Sequence, residues 1–201
     1  VIYGYTAVTA ATGVFIWFVI SDGHPSGEPE LAEWKPHTEN VFEHIFRVLR
    51  IPAVWLQALI VLCAYVGYKG ADNYSLFAVQ GYGMDEVNAA GVVATATYLR
   101  FFAALGAGLL GDRFNVSRMT VIAFLALLAS YLFFGLTTPI AGATWIFVSN
   151  TLLGFAAVFG LRGLYFALFE EAKVPAAVTG TAVGFVSVVG FTPDVFVAYI
   201  G

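Results

Sequence analysis

Residues 108–136 read GLLGDRFNVSRMTVIAFLALLASYLFFGL, and this stretch decides the fold class. A short polar turn carrying Asp112, Arg113 and Arg118 gives way to residues 119–136, which hold no charged side chain. A helix over that run rises about 27 Å, close to the ~30 Å hydrocarbon thickness of a bilayer. No alternation of period two runs through it, and it is too long for a barrel strand of about ten residues. A membrane-spanning helix is the reading that fits.

Working outward, the same pattern recurs. Apolar runs cover 1–20, 51 to at least 66, 87–110, 143–168 and 176–200, giving six expected spans with 119–136. The composition agrees: 60% of the 201 residues are hydrophobic and 11% charged, with a net charge of −4 and mean hydropathy of +0.83. Soluble domains carry about 25% charged residues, so a soluble enzyme is excluded. Disorder is excluded by 19 Phe, 10 Tyr and 4 Trp. The fold class is an all-α membrane protein. The chain starts at Val1, directly in apolar sequence and without the flanks of a signal peptide, so a longer parent chain is expected.

One long polar segment interrupts the spans. Residues 21–50 carry Asp22, Glu28, Glu30, Glu33, Glu39 and Glu43, together with His24, His37 and His44. Its middle is rich in Pro and Gly and reads as a linker. Its end, VFEHIFRVLR, repeats apolar residues at helical spacing opposite Glu43, His44, Arg47 and Arg50. That pattern suits an amphipathic helix, either in the membrane interface or packed on the protein. The irregularly spaced histidines suggest no metal site, and the lone Cys63 reads as a packing residue. Trp17, Trp34, Trp55 and Trp145 fall near span ends, as aromatic belts do.

The cations orient the chain. Loops 21–50, 111–118 and 169–175 share one face and hold Lys35, Arg47, Arg50, Arg113, Arg118 and Lys173; the other face holds at most Lys69. The positive-inside rule makes the first face cytoplasmic.

Residues inside the spans carry the functional signal, since a charge at mid-helix costs roughly 2.5–3.5 kcal/mol on insertion scales. Arg100 lies well within the third span, Arg162 lies in the fifth between Gly160 and Gly163, and Asp194 follows Pro193 in the sixth. Either the arginines face a cavity and hold an anion, or one of them bridges to Asp194 or to helix carbonyls. The segment Tyr65–Tyr74, with Lys69, Asp72 and Asn73, has two readings. It is an outward loop after a short helix, or a break in one helix running from Pro52 to about Gln80 with Gly81–Gly83 as the turn. Broken helices at membrane depth line cavities. In the turn at 108–118, Gly108 would allow close helix approach, Asp112 would accept bonds from a helix N-terminus, and Arg113 and Arg118 would pair across it. Such contacts form and break, as a latch does. Asp85 and Glu86 suit a first helical turn. Gly180-x-x-x-Gly184 suits helix packing. Glu170 and Glu171 read as solvated, latch-forming or proton-coupling.

The turn resembles the signature loop of the major facilitator superfamily, G-x-x-x-D-R-x-G-R-[RK], which recurs between the second and third helices of each six-helix half. Gly108, Asp112 and Arg113 match; Asn115 stands where the family prefers Gly, and the later basic residue is Arg118. Copies in the second half of that family are usually degenerate. The resemblance implies that 1–20 is the sixth helix of twelve, 21–50 the central cytoplasmic linker, and 51–201 an incomplete C-terminal half in a major-facilitator-type helical bundle. It implies a secondary active transporter of the bacterial inner membrane, working by alternating access. The substrate path would involve Lys69, Asp72, Asn73, Arg100, Arg162 and Asp194, the latch Gly108, Asp112, Arg113 and Arg118. Expected partners are a small organic anion, a coupling proton or ion, the lipid bilayer and the missing N-terminal half. No cofactor, metal or nucleic acid is expected. A non-transporting receptor or assembly subunit is the alternative. An intramembrane enzyme is another, although no paired-carboxylate, Ser/His or HExxH arrangement appears. A GxxxxGK[ST] loop is likewise lacking.

Overall fold

A computed structural model describes residues 9–12, 14, 15, 18 and 41–200. The chain divides into two units, Val1–Asn40 and Val41–Gly201. In the first unit the described residues are helical and fall within the expected first span; the rest of that span and the linker up to residue 40, with His24 and His37, lie outside the described residues. The second unit is helical among the described residues: α1 (Val41–Leu49), α2 (Pro52–Gly70), a 3-10 turn (Ala71–Asn73), α3 (Tyr74–Tyr82), α4 (Glu86–Ala96), α5 (Leu99–Phe114), α6 (Val116–Leu136), α7 (Thr144–Leu164), α8 (Leu168–Glu171), α9 (Ala176–Gly190) and α10 (Pro193–Ile200). Among the described residues, five stretches are long and apolar enough to cross a membrane: Pro52–Tyr82, Glu86–Phe114, Val116–Leu136, Thr144–Leu164 and Val178–Val197. These are the five expected spans after the linker.

Local chemistry sets the ends. Pro52 occupies the first turn of α2, where its missing N–H costs no bond. Asp85 caps α4, its carboxylate accepting from the backbone N–H of Val87 at 3.1 Å and Asn88 at 3.3 Å. Gly83 ends α3 with φ +66°, so the turn falls at Gly81–Gly83 and residues 52–82 form one interrupted span. The outward-loop reading of 65–74 is therefore incorrect. Asn115 joins α5 to α6 at φ +92°, a backbone region that favours glycine. This is the position where the signature loop carries Gly.

Helix α7 is the hub. It is 56% buried, against 6% for the α4–α5 span, and packs on α5, α6, α2, α3 and α4. Lipid tails are as apolar as Leu, so burying apolar side chains gives little drive for helices to associate in a bilayer; close packing and hydrogen bonds must hold them. Ser130 and Asn150 supply a reciprocal pair between α6 and α7. The Asn150 amide donates to the Ser130 carbonyl at 3.0 Å, and the Ser130 hydroxyl donates to the Asn150 carbonyl at 3.3 Å. Tyr131 donates to the Gly67 carbonyl, and Gln57 to the Tyr165 carbonyl, pinning both halves of α2. Tyr74, Phe134, Phe147 and Phe155 interlock around α3, with ring centroids 5.6 Å apart for Tyr74–Phe134 and 5.8 Å for Phe134–Phe147.

Small residues mark the closest approaches, although not where the sequence suggested. A side chain at Gly180 or Gly184 would meet nothing within 4 Å among the described residues, so the pair makes no close approach within them. Gly190 makes one, packed directly against Val61 of α2. Gly163 admits the backbone of α5, where a Cβ would stand 2.7 Å from the Ala104 carbonyl oxygen.

Candidate functional site

The in-span charges coincide with interruptions in the helices. Lys69 is the penultimate residue of α2, and Asp72 and Asn73 form the 3-10 turn that follows. Arg100 stands just past the turn at Thr97–Tyr98 that separates α4 from α5. Arg162 lies in the last turn of α7, and Asp194 in the first turn of α10, after the break at Phe191–Thr192. Interrupted helices leave backbone groups to be satisfied, a cost tolerated where the chain lines a cavity or is covered by protein. The sequence flagged one break. Among the described residues the structure has two more within spans, beside Arg100 and Asp194, while Arg162 lies where α7 ends.

Around the first break, Lys69 serves two carboxylates. Its Nζ lies 2.6 Å from Asp72 Oδ2, one turn ahead, and 3.6 Å from Asp194 Oδ1, across on α10. Tyr65 of α2 donates to Asp194 Oδ2 at 2.8 Å. Asp194 is thus held by Lys69 and Tyr65, not by either arginine, which settles the question of its partner. Asn73 is exposed next to Asp72, and its side chain caps no helix.

The arginines rest on aromatic rings. Arg162 sits over Tyr68 at 4.9 Å from the ring centroid, and Arg100 over Phe159 at 5.9 Å. Both distances fall within cation–π range, and such contacts help desolvated guanidinium groups. Arg100 Nε also donates to the Thr97 carbonyl at 3.3 Å. Neither arginine has a carboxylate partner among the described residues. The rings join the two groups: Tyr65 lies 5.6 Å from Tyr68, Tyr68 lies 6.2 Å from Phe159, and Phe191 closes on Tyr65 at 4.9 Å. Lys69, Asp72, Asp194, Arg162 and Arg100 therefore belong to one connected cluster, built on α2, α5, α7 and α10. The four rings that connect it were not legible in the sequence, because aromatic residues are abundant throughout.

The α5–α6 turn differs from expectation. Asp112 is exposed and caps no helix among the described residues. Glu171 of α8 does so instead: its Oε2 accepts from both the backbone N–H and the hydroxyl of Ser117, each at 2.8 Å, at the start of α6. A carboxylate there also meets the positive end of the helix dipole. Nor does Gly108 make a close approach among the described residues, where a side chain there would meet nothing within 4 Å. Gly111 does: a Cβ there would stand 2.8 Å from Leu164 Cδ2. Arg113 lies over Phe114, 5.5 Å from its centroid, and Arg118 is exposed; the two do not pair with a carboxylate among the described residues. Of the acids in this region, Glu171 was open to the latch reading from its sequence position. Its partner Ser117 could not be found that way, being 54 residues distant.

Two curated proteins of Escherichia coli (strain K12) are similar to the chain. Inner membrane protein YqcE is 31% identical over 98% of this chain and 47% of its own length. Inner membrane protein YihN is 24% identical over 97% and 47%. The chain spans about half the length of these relatives. No solved structure matches it. The family profile of the Major Facilitator Superfamily matches residues 1–196, nearly the whole sequence, and with the interrupted spans and charged cluster already in place the chain belongs to that superfamily.

Proposed function

We propose that the chain supplies most of the second half of a secondary transporter, which moves a small organic anion across the bacterial inner membrane by alternating access. Family membership points to transport rather than catalysis. Inner-membrane placement draws on the names of the two relatives. Loops 21–50, 111–118 and 169–175 face the cytoplasm, following the distribution of Lys and Arg.

The observation that carries the anion is the pair Arg100 and Arg162. Both are exposed, both rest on rings that touch one another, and both lack a carboxylate among the described residues. Their planar forks suit carboxylate or phosphate oxygens, and Tyr68 and Phe159 offer an apolar floor beside them. Lys69 contributes less than the sequence suggested, because Asp72 and Asp194 already answer its charge. In the turn, Asp112, Arg113 and Arg118 remain exposed for contacts made in another conformation, while Glu171 fixes the start of α6.

The test is thermal stabilisation of the full-length transporter by a panel of mono- and dicarboxylates and phosphate esters. Stabilisation by some anions in the wild type, lost in Arg100→Ala, supports the reading. Stabilisation that survives in both Arg100→Ala and Arg162→Ala rejects the arginine site.

A further inference from the structure

The corner between α1 and α2 holds a groove apart from the charged cluster. It is open, about 690 Å³ in volume, and lined by Leu49, Arg50, Pro52, Trp55, Leu56 and Leu59. One end is cationic and the rest is apolar. We propose that it binds a phospholipid with an anionic headgroup, its phosphate on Arg50 and an acyl chain along Leu56 and Leu59.

The chain's own contacts shape this corner. Helix α1 packs on α2 and α9, and its Val48 is buried. A helix ends with carbonyls that lack partners within it. The Trp55 indole N–H donates to one of them, the Leu49 carbonyl, at 2.8 Å. Trp55 also meets Phe185 of α9 edge-on, with ring centroids 5.0 Å apart. These contacts fix the indole as a wall of the groove while leaving it half exposed. Tryptophan, polar at one edge and apolar in body, settles at the level of lipid headgroups.

Periodicity gives the direction of the tail. Pro52, Leu56, Leu59 and Cys63 are exposed and stand three or four residues apart, so they form one stripe along α2. From Pro52 to Cys63 the helix rises about 16 Å, close to one leaflet of a ~30 Å hydrocarbon core. Leu56 is 63% exposed and Leu59 56%. The bilayer core holds no water, so whatever lies on this stripe is apolar.

Charge decides the other end. Arg50 is exposed at the mouth and pairs with no carboxylate among the described residues. Arg47, exposed in the last turn of α1, adds a second positive charge. A guanidinium fork matches phosphate oxygens, and basic pockets beside spans recognise lipid phosphates. A free phosphate would answer Arg50 and leave the stripe bare. An apolar protein segment would cover the stripe and leave Arg50 to water. An anionic phospholipid satisfies both. The site is independent of the solute carried; only its place in the cytoplasmic leaflet rests on the orientation proposed above.

Native mass spectrometry of the full-length transporter in detergent, titrated with phosphatidylglycerol or phosphatidylethanolamine, tests the site. The first lipid is anionic and the second zwitterionic. The wild type should bind phosphatidylglycerol more tightly. Arg50→Ala should weaken that binding by about 5-fold, the equivalent of ~1 kcal/mol for one cation at an anionic lipid surface. The double variant Leu56→Asn, Leu59→Asn should weaken both lipids. Lys173→Gln, which removes a cation outside the groove, should change neither. Glycerol phosphate, a headgroup without tails, should not compete. Equal phosphatidylglycerol affinity in the wild type and Arg50→Ala overturns the proposal, as does a wild type that binds no lipid or binds the two lipids alike. Competition by glycerol phosphate at the lipid's own affinity overturns it in favour of a free-phosphate site. Should Arg50→Ala fail to fold, Arg50→Gln decides by the same comparison. No readout here involves transport, so failure of the lipid site leaves the transport reading standing.

Discussion

The Arg162 guanidinium stands 4.9 Å from the centroid of the Tyr68 ring, which joins the last turn of α7 to the middle of the first described span. An aromatic face partly compensates a cation taken out of water, by about 0.5–2 kcal/mol. It does so without using the N–H donors that an anion needs. Tyr68→Phe should therefore keep anion binding, and Tyr68→Leu should weaken it by roughly 2- to 30-fold, as that range of energies implies. Titrating the most stabilising anion of the panel against both variants checks this; equal affinity in the leucine variant would remove the ring from the site.

Glu171 and Ser117 offer a second test, on stability. A carboxylate capping a helix N-terminus contributes about 1 kcal/mol. Glu171→Gln and Ser117→Ala should each lower the unfolding free energy by an amount of that order. Their double variant should lose less than the sum, because both act on one contact. Reversible unfolding in mixed micelles measures the cycle, and strict additivity would mean that the contact contributes nothing.

Asn115 tests the backbone. An L-residue held in a left-handed conformation costs roughly 1–2 kcal/mol, and Asn tolerates it better than most. With φ at +92°, Asn115→Gly should be neutral or stabilising, and Asn115→Val should destabilise by at least ~1 kcal/mol. Melting temperatures of the three proteins order these predictions.

The reciprocal pair Asn150–Ser130 makes a fourth. Interhelical hydrogen bonds in membranes contribute about 0.6–2 kcal/mol. Asn150→Leu should lower stability within that range while leaving anion binding intact, because the pair lies apart from the charged cluster. Unfolding and ligand titration on the same preparation separate the two effects.

The sequence carried the spans because hydropathy acts locally: residues 119–136 read as one helix, and the structure gives Val116–Leu136. It carried the charged residues because each is expensive within a span. Lys69, Asp72, Arg100, Arg162 and Asp194 could be named one by one, and they come together. Their pairing could not be read. Lys69 and Asp194 are brought together by the packing of α10 on α2, which no local pattern encodes. The same reason hid Glu171 behind the more conspicuous Asp112. Both are acids near a helix start, and only the fold shows which one reaches Ser117. Glycine spacing alone does not place a contact: Gly180 and Gly184 meet no neighbour among the described residues, while Gly190 meets Val61.

On the proposed function, Arg100 and Arg162 hold the transported anion. Uptake of radiolabelled organic anions by proteoliposomes containing the full-length transporter tests it most directly. Uptake by the wild type is expected, with a loss of roughly 10- to 150-fold in affinity for Arg100→Ala and Arg162→Ala, since a hydrogen bond to a charged group contributes about 1.5–3 kcal/mol. Uptake by both alanine variants at the wild-type rate and affinity would contradict it.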